Sequence, residues 1–232
     1  MKFNIKWLGH ATTEITTANG TVIYIDPWFS HSLSKVSLDD IKKADVVLIT
    51  HDHFDHTGDA GELLKKFPNA ILAAQPELLG KIQAEFGIPD SQIVNGGGGM
   101  NIGGTVEICG VRITMTEAVH SSNTGEPSGF IVEIDGERIY HAGDTAIMAT
   151  MEILGRLFPM KVALLPIGNV FTMDPVQAAE AAKMLKAENV IPIHYMTFPI
   201  LEQSSDAFVK LANEIAPDTK VIPLAVGESA EF

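Results

Sequence analysis

Apolar and polar residues alternate from the start of the chain. Phe3, Ile5 and Trp7 fall on one side of a strand, and Asn4 and Lys6 on the other. T-T-E-I-T-T and T-V-I-Y-I-D follow, joined across Asn19-Gly20, a pair that tolerates the positive φ of a tight hairpin. This predicts a β meander over the first 26 residues. At residues 44 to 50 the alternation gives way to A-D-V-V-L-I-T, the short apolar run of a strand buried on both faces. G-D-A-G-E-L-L-K-K-F then reads as a helix start with Asp59 near its positive end, which leaves H-D-H-F-D-H-T between them as a loop at a strand's C-terminal edge. A strand at 70 to 74, a helix around 76 to 86 and a glycine turn at 96 to 99 complete the first half.

The second half repeats the recipe. Strands are expected at about 104 to 109, 111 to 117, 129 to 135 and 137 to 141, with Gly110 and Asp135-Gly136 as turns. Asp174 caps a helix whose first residue is Pro175 and whose apolar stripe is Ala178, Ala179, Ala182 and Leu185. Phe208, Leu211, Ala212 and Ile215 make a similar stripe in a helix starting near Ser205. The apolar strands K-V-A-L-L-P-I and N-V-I-P-I flank the first of these helices. Two successive β-rich then α/β halves imply an α/β fold in four layers, an αββα sandwich of two mixed sheets with helices outside. No linker divides it, so residues 1–232 are read as a single domain.

The composition narrows the function classes. Sixteen Lys and Arg against 29 Asp and Glu leave a net charge of -13, and no basic cluster offsets it, so nucleic acid is not an expected partner and a small molecule is. No window approaches an uninterrupted apolar span, so membrane insertion is not expected either. Cys109 is the only cysteine; it is read as a small buried hydrophobe and fits a reducing cytoplasm.

Of the eight histidines, three fall at His51, His53 and His56, interleaved with Asp52 and Asp55. Imidazole nitrogen and carboxylate oxygen are donors that zinc, iron and manganese accept, and residues two apart in an extended turn can aim at one point. His51 and His53 can therefore share one ion, with Asp55 and His56 further round the turn facing a second. More donors stand at the ends of distant strands: His120, Asp144 and His194. A carboxylate can bridge two ions, and Asp144 is read as that bridge.

Together T-H-D-H-F-D-H at 50 to 56, His120, Gly-Asp-Thr at 143 to 145 and His194 resemble the metallo-β-lactamase superfamily. W-L-G-H-A at 7 to 11, L-P-I-G at 165 to 168 and H-Y-M-T-F-P at 194 to 199 resemble its branch of small metal-dependent hydrolases akin to ascorbate-6-phosphate lactonases and, more distantly, N-acylphosphatidylethanolamine phospholipases. The resemblance implies that His51, His53 and His120 hold a first metal, that Asp55, His56 and His194 hold a second, and that Asp144 holds both. Zinc is the first choice of metal, with manganese or iron as alternatives.

The expected function is hydrolysis of a small ester, lactone or phosphodiester by a metal-bridging hydroxide, with Asp55 receiving its proton. β-Lactams are expected to be poorer substrates. An iron-bound redox or metal-binding module and a metal-dependent nuclease are the alternatives. His10, Asn169 and Tyr195 are candidate substrate contacts, with a structural role for His10 and a packing role for Asn169 and Tyr195 as the alternatives; His141 is read as core or as support to a ligand, and His31 as a solvated loop residue. Trp28, Phe29, Phe171, Met196 and Phe198 lie on loops expected to wall the pocket, which could equally serve as a homo-oligomer contact.

Overall fold

The computed structural model describes residues 2–232. β1 (Phe3–Gly9), β2 (Thr12–Thr17) and β3 (Val22–Ile25) form the antiparallel meander, in which Ile15 pairs with both Ile5 and Ile23. β4 (Val46–Leu48) and β5 (Ile71–Ala73) extend it in parallel, each reached through a crossover. The second sheet starts with the antiparallel strands β6 (Thr105–Ile108), β7 (Val111–Glu117), β8 (Ser128–Ile134) and β9 (Glu137–His141). β10 (Val162–Pro166), β11 (Asn189–Ile193) and β12 (Lys220–Val221) continue it in parallel. β13 (Ser229–Glu231) crosses back to pair with β1, so the orders are β13-β1-β2-β3-β4-β5 and β12-β11-β10-β9-β8-β7-β6.

Both sheets are mixed, and helices flank them. α1 (Phe54–Thr57), α2 (Ala60–Lys66) and α3 (Pro76–Phe86) belong to the first half; α4 (Thr150–Leu157), α5 (Pro175–Leu185) and α6 (Asp206–Ile215) belong to the second. The period of two along β4 divides its burial. Val46 and Leu48 join Phe3, Ile5, Trp7, Met115 and Phe130 in one core, while Val47 and Ile49 pack with Leu63, Leu64 and Leu78 of α2 and α3. Asp174 caps α5 as expected, accepting from the Gln177 N–H at 2.7 Å. Among the described residues, no helix is long and apolar enough to cross a membrane.

Four details depart from the sequence reading. Residues 54 to 57 form one helical turn rather than loop, because the N–H groups of His56 and Thr57 both reach the His53 carbonyl at 3.1 Å. Cys109 is exposed: Ile108 pairs with Val111, which leaves Cys109 and Gly110, both at positive φ, as the two-residue hairpin turn. His31 is buried and its Nε2–H donates to the Leu8 carbonyl at 3.0 Å. α4 was not anticipated, since Gly155 inside an eight-residue helix weakens its local signal.

Candidate metal centre

All the sequence-selected donors lie at or just beyond strand ends that meet along one edge of the sandwich. His51 follows β4, His120 follows β7, Asp144 follows β9 and His194 directly follows β11. The single turn of α1 carries Asp55 and His56 back toward the same point. Gly168 lets the end of β10 pass against His194, since a Cβ there would lie 2.1 Å from the His194 carbonyl oxygen.

Donor atoms of His51, His53 and His120 fall within 4.8 Å of one another, as do those of His10, Asp55, His56 and His194, and those of His51, His56 and Asp144. Asp144 stands between the groups: its Oδ2 is 3.3 Å from His56 Nε2, 3.6 Å from His120 Nε2 and 2.9 Å from His194 Nε2. These separations bracket the roughly 3.4 Å edge of a tetrahedron of donors at about 2.1 Å from an ion. His56 Nε2, both ring nitrogens of His194 and Asp144 Oδ1 are buried, and none makes a well-directed hydrogen bond despite the close approaches of His56 and His194 to Asp144 Oδ2. Buried polar atoms left unpaired are costly, and four of them here belong to converging metal donors. The residues therefore fit a metal.

The surrounding hydrogen bonds turn lone pairs toward that point. Asp26 is fully buried; its Oδ2 is 2.7 Å from His56 Nδ1 and also accepts from the Thr50 hydroxyl at 2.7 Å. With its proton committed to Asp26, the Thr50 oxygen accepts from His51 Nδ1–H at 3.0 Å. His51 Nε2 is thereby left without a proton, 2.9 Å from His53 Nδ1, and on His56 it is Nε2 whose proton a cation at the centre would displace. Asp52 acts at the back of the loop. Its carboxylate accepts from Lys81 Nζ at 3.0 Å, the Ser122 hydroxyl at 3.0 Å and the Asn123 N–H at 2.8 Å, tying the segment after His120 to the one carrying His51 and His53.

The charge states follow from burial and neighbours. Burial and the nearby His56 hold His51 well below its ordinary value, and burial followed by His194 brings His10 down to about 3. Burial works against charge on Asp144, but His194 and His56 outweigh it and hold the carboxyl well below its usual range. For Asp55 the opposing burial is outweighed by the hydrogen bond from His10 and by His56. His56 moves the other way: burial disfavours its cation, yet Asp144 and Asp26 raise it well above its ordinary value. The two carboxylates are thus anionic donors, and a cation at the centre would take the place of the proton on His56.

The three candidate substrate contacts lie elsewhere. His10 is fully buried behind the centre, donating from Nε2 to Asp55 Oδ2 at 2.9 Å while Nδ1 meets the Thr197 hydroxyl at 2.9 Å. Being neutral, its ring can make both bonds only by accepting at Nδ1. Tyr195 is turned into the protein with its ring stacked on Trp7 at 5.0 Å. Asn169 is exposed, and its side-chain oxygen accepts from the Val170 N–H at 2.7 Å, knotting its own loop. None of the three lines the cleft of about 570 Å³ that opens over His53, Asp55, His120, Asp144 and His194. His141 is core, its Nε2–H donating to the Ala11 carbonyl at 2.9 Å.

Sequence reasoning passed over Asp26, Thr50 and Thr197. Asp26 was findable, because it ends a strand just as Asp144 does. A further sign is visible only in the backbone: His10, Asp26 and His194 all take positive φ, at 52, 50 and 57°. Such conformations are unfavourable for residues other than glycine and gather where a site over-determines them.

Two facing mixed sheets with converging His and Asp at their strand ends define a metallohydrolase sandwich. A family model for the beta-lactamase superfamily domain matches residues 21–195. The UPF0173 metal-dependent hydrolase of Nitratidesulfovibrio vulgaris (strain DP4) is 44% identical over 234 positions, covering 99% of this chain and 95% of that protein. That of Pyrobaculum islandicum (strain DSM 4184 / JCM 9189 / GEO3) is 45% identical over 207 positions, covering 88% and 89%. The solved structure of Igni18, a novel metallo hydrolase from the hyperthermophilic archaeon Ignicoccus hospitalis KIN4/I, matches with a TM-score of 0.89 at 37% identity over 99% of both chains. The chain belongs to the beta-lactamase superfamily, among its UPF0173 metal-dependent hydrolases.

Proposed function

We propose that this metal-dependent hydrolase is binuclear. His51, His53 and His120 would hold one divalent ion, Asp55, His56 and His194 the other, and Asp144 both. The observation that carries this reading is the position of Asp144 Oδ2 between His120, His56 and His194, with Asp144 Oδ1 and His56 Nε2 buried and unpaired. A donor set of five imidazoles and two carboxylates suits zinc first, with manganese or iron as alternatives. When bound, the ions would supply hydroxide near neutral pH and polarise a carbonyl or phosphoryl oxygen of the substrate.

The chain's own part is to position and to move a proton. Asp55 lines the cleft and is held by His10 Nε2–H at 2.9 Å, so its carboxylate keeps one orientation and stays ionised. We place the general base there: Asp55 takes the proton of the attacking water. Substrates in this reading are small esters, lactones or phosphodiesters, and β-lactams are poorer ones. Neither nucleic acid nor a membrane is a partner, and the cytoplasm is the compartment.

Elemental analysis of chelator-free protein, followed by a lactone, ester, phosphodiester and cephalosporin panel on the same preparation, tests this. Two ions per chain and turnover of an ester or lactone are expected. At most one ion at saturating zinc and manganese, or a cephalosporin turned over best, would sink it.

A further inference from the structure

The cleft above the metal centre has an unusual rim. Phe54, Phe171 and Ile200 line it with 65, 54 and 59% of their surfaces exposed, and half-buried Phe198 completes the wall. Phe54, Phe198 and Trp28 form one aromatic group, with ring centroids 5.6 Å apart for Trp28 and Phe54 and 5.9 Å for Trp28 and Phe198. Scattered exposed apolar residues need no explanation, but a contiguous set around a concave site does.

Phe171 is held outward by its own loop. Asn169 and Val170 both take positive φ, at 64 and 53°, a conformation costly for β-branched valine. The Asn169 carbonyl accepts from the N–H groups of Phe171 and Thr172, and Met173 N–H is tied to the Thr145 carbonyl at 3.1 Å. A strained segment that presents a phenylalanine to solvent at the mouth of a site fits a binding role better than a packing one.

The lining also lacks something. It includes no Lys or Arg; its only ionised groups are the carboxylates Asp55 and Asp144 and whatever charge its histidines carry. A phosphate or carboxylate on the part of a substrate remote from the reacting bond would meet apolar walls and no cation to replace its water. An alkyl or aryl arm would bury against Phe54, Phe171, Phe198 and Ile200 and be attracted.

We propose that this rim selects substrates whose non-reacting arm is uncharged and apolar, a medium-chain acyl or alkyl group on an ester or lactone, and disfavours phosphorylated polar ones. The inference rests on the hydrolase reading above and adds the chemistry of the arm to it. Phe171 and Ile200 are the specificity-determining residues that can be changed without touching a metal donor or its sequence neighbours.

The test has a kinetic and a binding arm. For acyl esters from acetyl to octanoyl on the metal-loaded enzyme, kcat/KM should rise about two- to fourfold per added methylene until the cleft is filled. Independently of turnover, calorimetric Kd values for n-alkyl carboxylates below their micelle concentration, on metal-loaded and metal-free protein, should tighten along the same series. In Phe171→Ala and Ile200→Ala, checked for an unchanged unfolding midpoint, the octanoyl-to-acetyl ratio should fall about tenfold. Val176→Ala, an exposed apolar residue outside the cleft, should leave that ratio unchanged. Flat series in both arms, or a phosphorylated lactone outrunning its alkyl counterpart, would overturn the proposal. No ester or lactone turnover alongside chain-length-dependent binding would instead reject the bond class and keep the apolar arm.

Discussion

The floor and the rim of the cleft break the rule of burial in opposite directions. On the floor His10, Asp26, His51, His56, Asp144 and His194 are buried, and at the rim Phe54, Phe171 and Ile200 are exposed. Buried polar side chains cost free energy unless each is paired, so the floor is tolerable only because Asp26, Thr50 and Thr197 satisfy nearly every inward group except those aimed at the centre. Exposed aromatics cost little in the folded state and demand no partner. Floor residues are therefore locked to one another and to folding, whereas rim residues are free to vary with the substrate.

Changes on the floor should have the larger consequences. Asp55→Asn keeps the shape and can still accept from His10, but cannot take the proton of an attacking water. We expect kcat to fall about 10²- to 10⁴-fold with the fold and bound metal largely retained. Single-turnover rates on metal-loaded variant protein check this; near-normal turnover would remove Asp55 from the chemistry.

A residue that touches no substrate should come next. Asp26→Ala removes the acceptor 2.7 Å from His56 Nδ1 and frees the ring to rotate or change tautomer. Metal affinity is expected to drop about 10- to 100-fold, read by competition with a chromogenic chelator. An unchanged affinity would mean that the His56 ring is held by packing alone.

The Asp52 clamp gives a pH-dependent effect on stability. Burial opposes its charge, but the Asn123 N–H, Lys81 and Ser122 together carry its pKa from 3.8 down to about 2. A carboxyl depressed in the folded state contributes stability that is fully present above the unfolded value and lost as pH falls through the folded one. Urea unfolding of the protein and of Asp52→Asn should therefore differ by about 1 to 2 kcal/mol at pH 7, after allowance for screening of the exposed Lys81. That gap should narrow as pH falls from about 4 toward 2. A gap constant over that range would assign the effect to shape rather than charge.

How much of this was legible beforehand follows the same division. Strand periodicity and the caps of α5 are local signals, so most of the two sheets and the αββα layering could be read directly. The seven His and Asp side chains that converge could be picked out because their types and spacing have few other uses. What the sequence hid depends on contacts between distant segments. His31 looked like loop but closes over the Leu8 carbonyl, and of the two roles open to Tyr195 the stacking on Trp7 selects packing over the pocket. Cys109 sat in an apolar run, yet pairing of Ile108 with Val111 put it in the turn. Asn169 shows the limit most plainly, since its amide serves the backbone of its own loop rather than the cleft.

The smallest effect sharpens the comparison from the other side. Phe171→Ser replaces an aromatic ring that is 54% exposed, whereas Phe130→Ala empties a fully buried site between the sheets. The core change should cost about 3 to 5 kcal/mol, from lost transfer energy and the cavity left behind. The rim change should stay within about 0.5 kcal/mol, because little apolar surface is withdrawn from water there. Thermal unfolding of the two variants side by side checks both values. A loss above about 1 kcal/mol in Phe171→Ser would show that the ring packs against the body of the protein and belongs with the core.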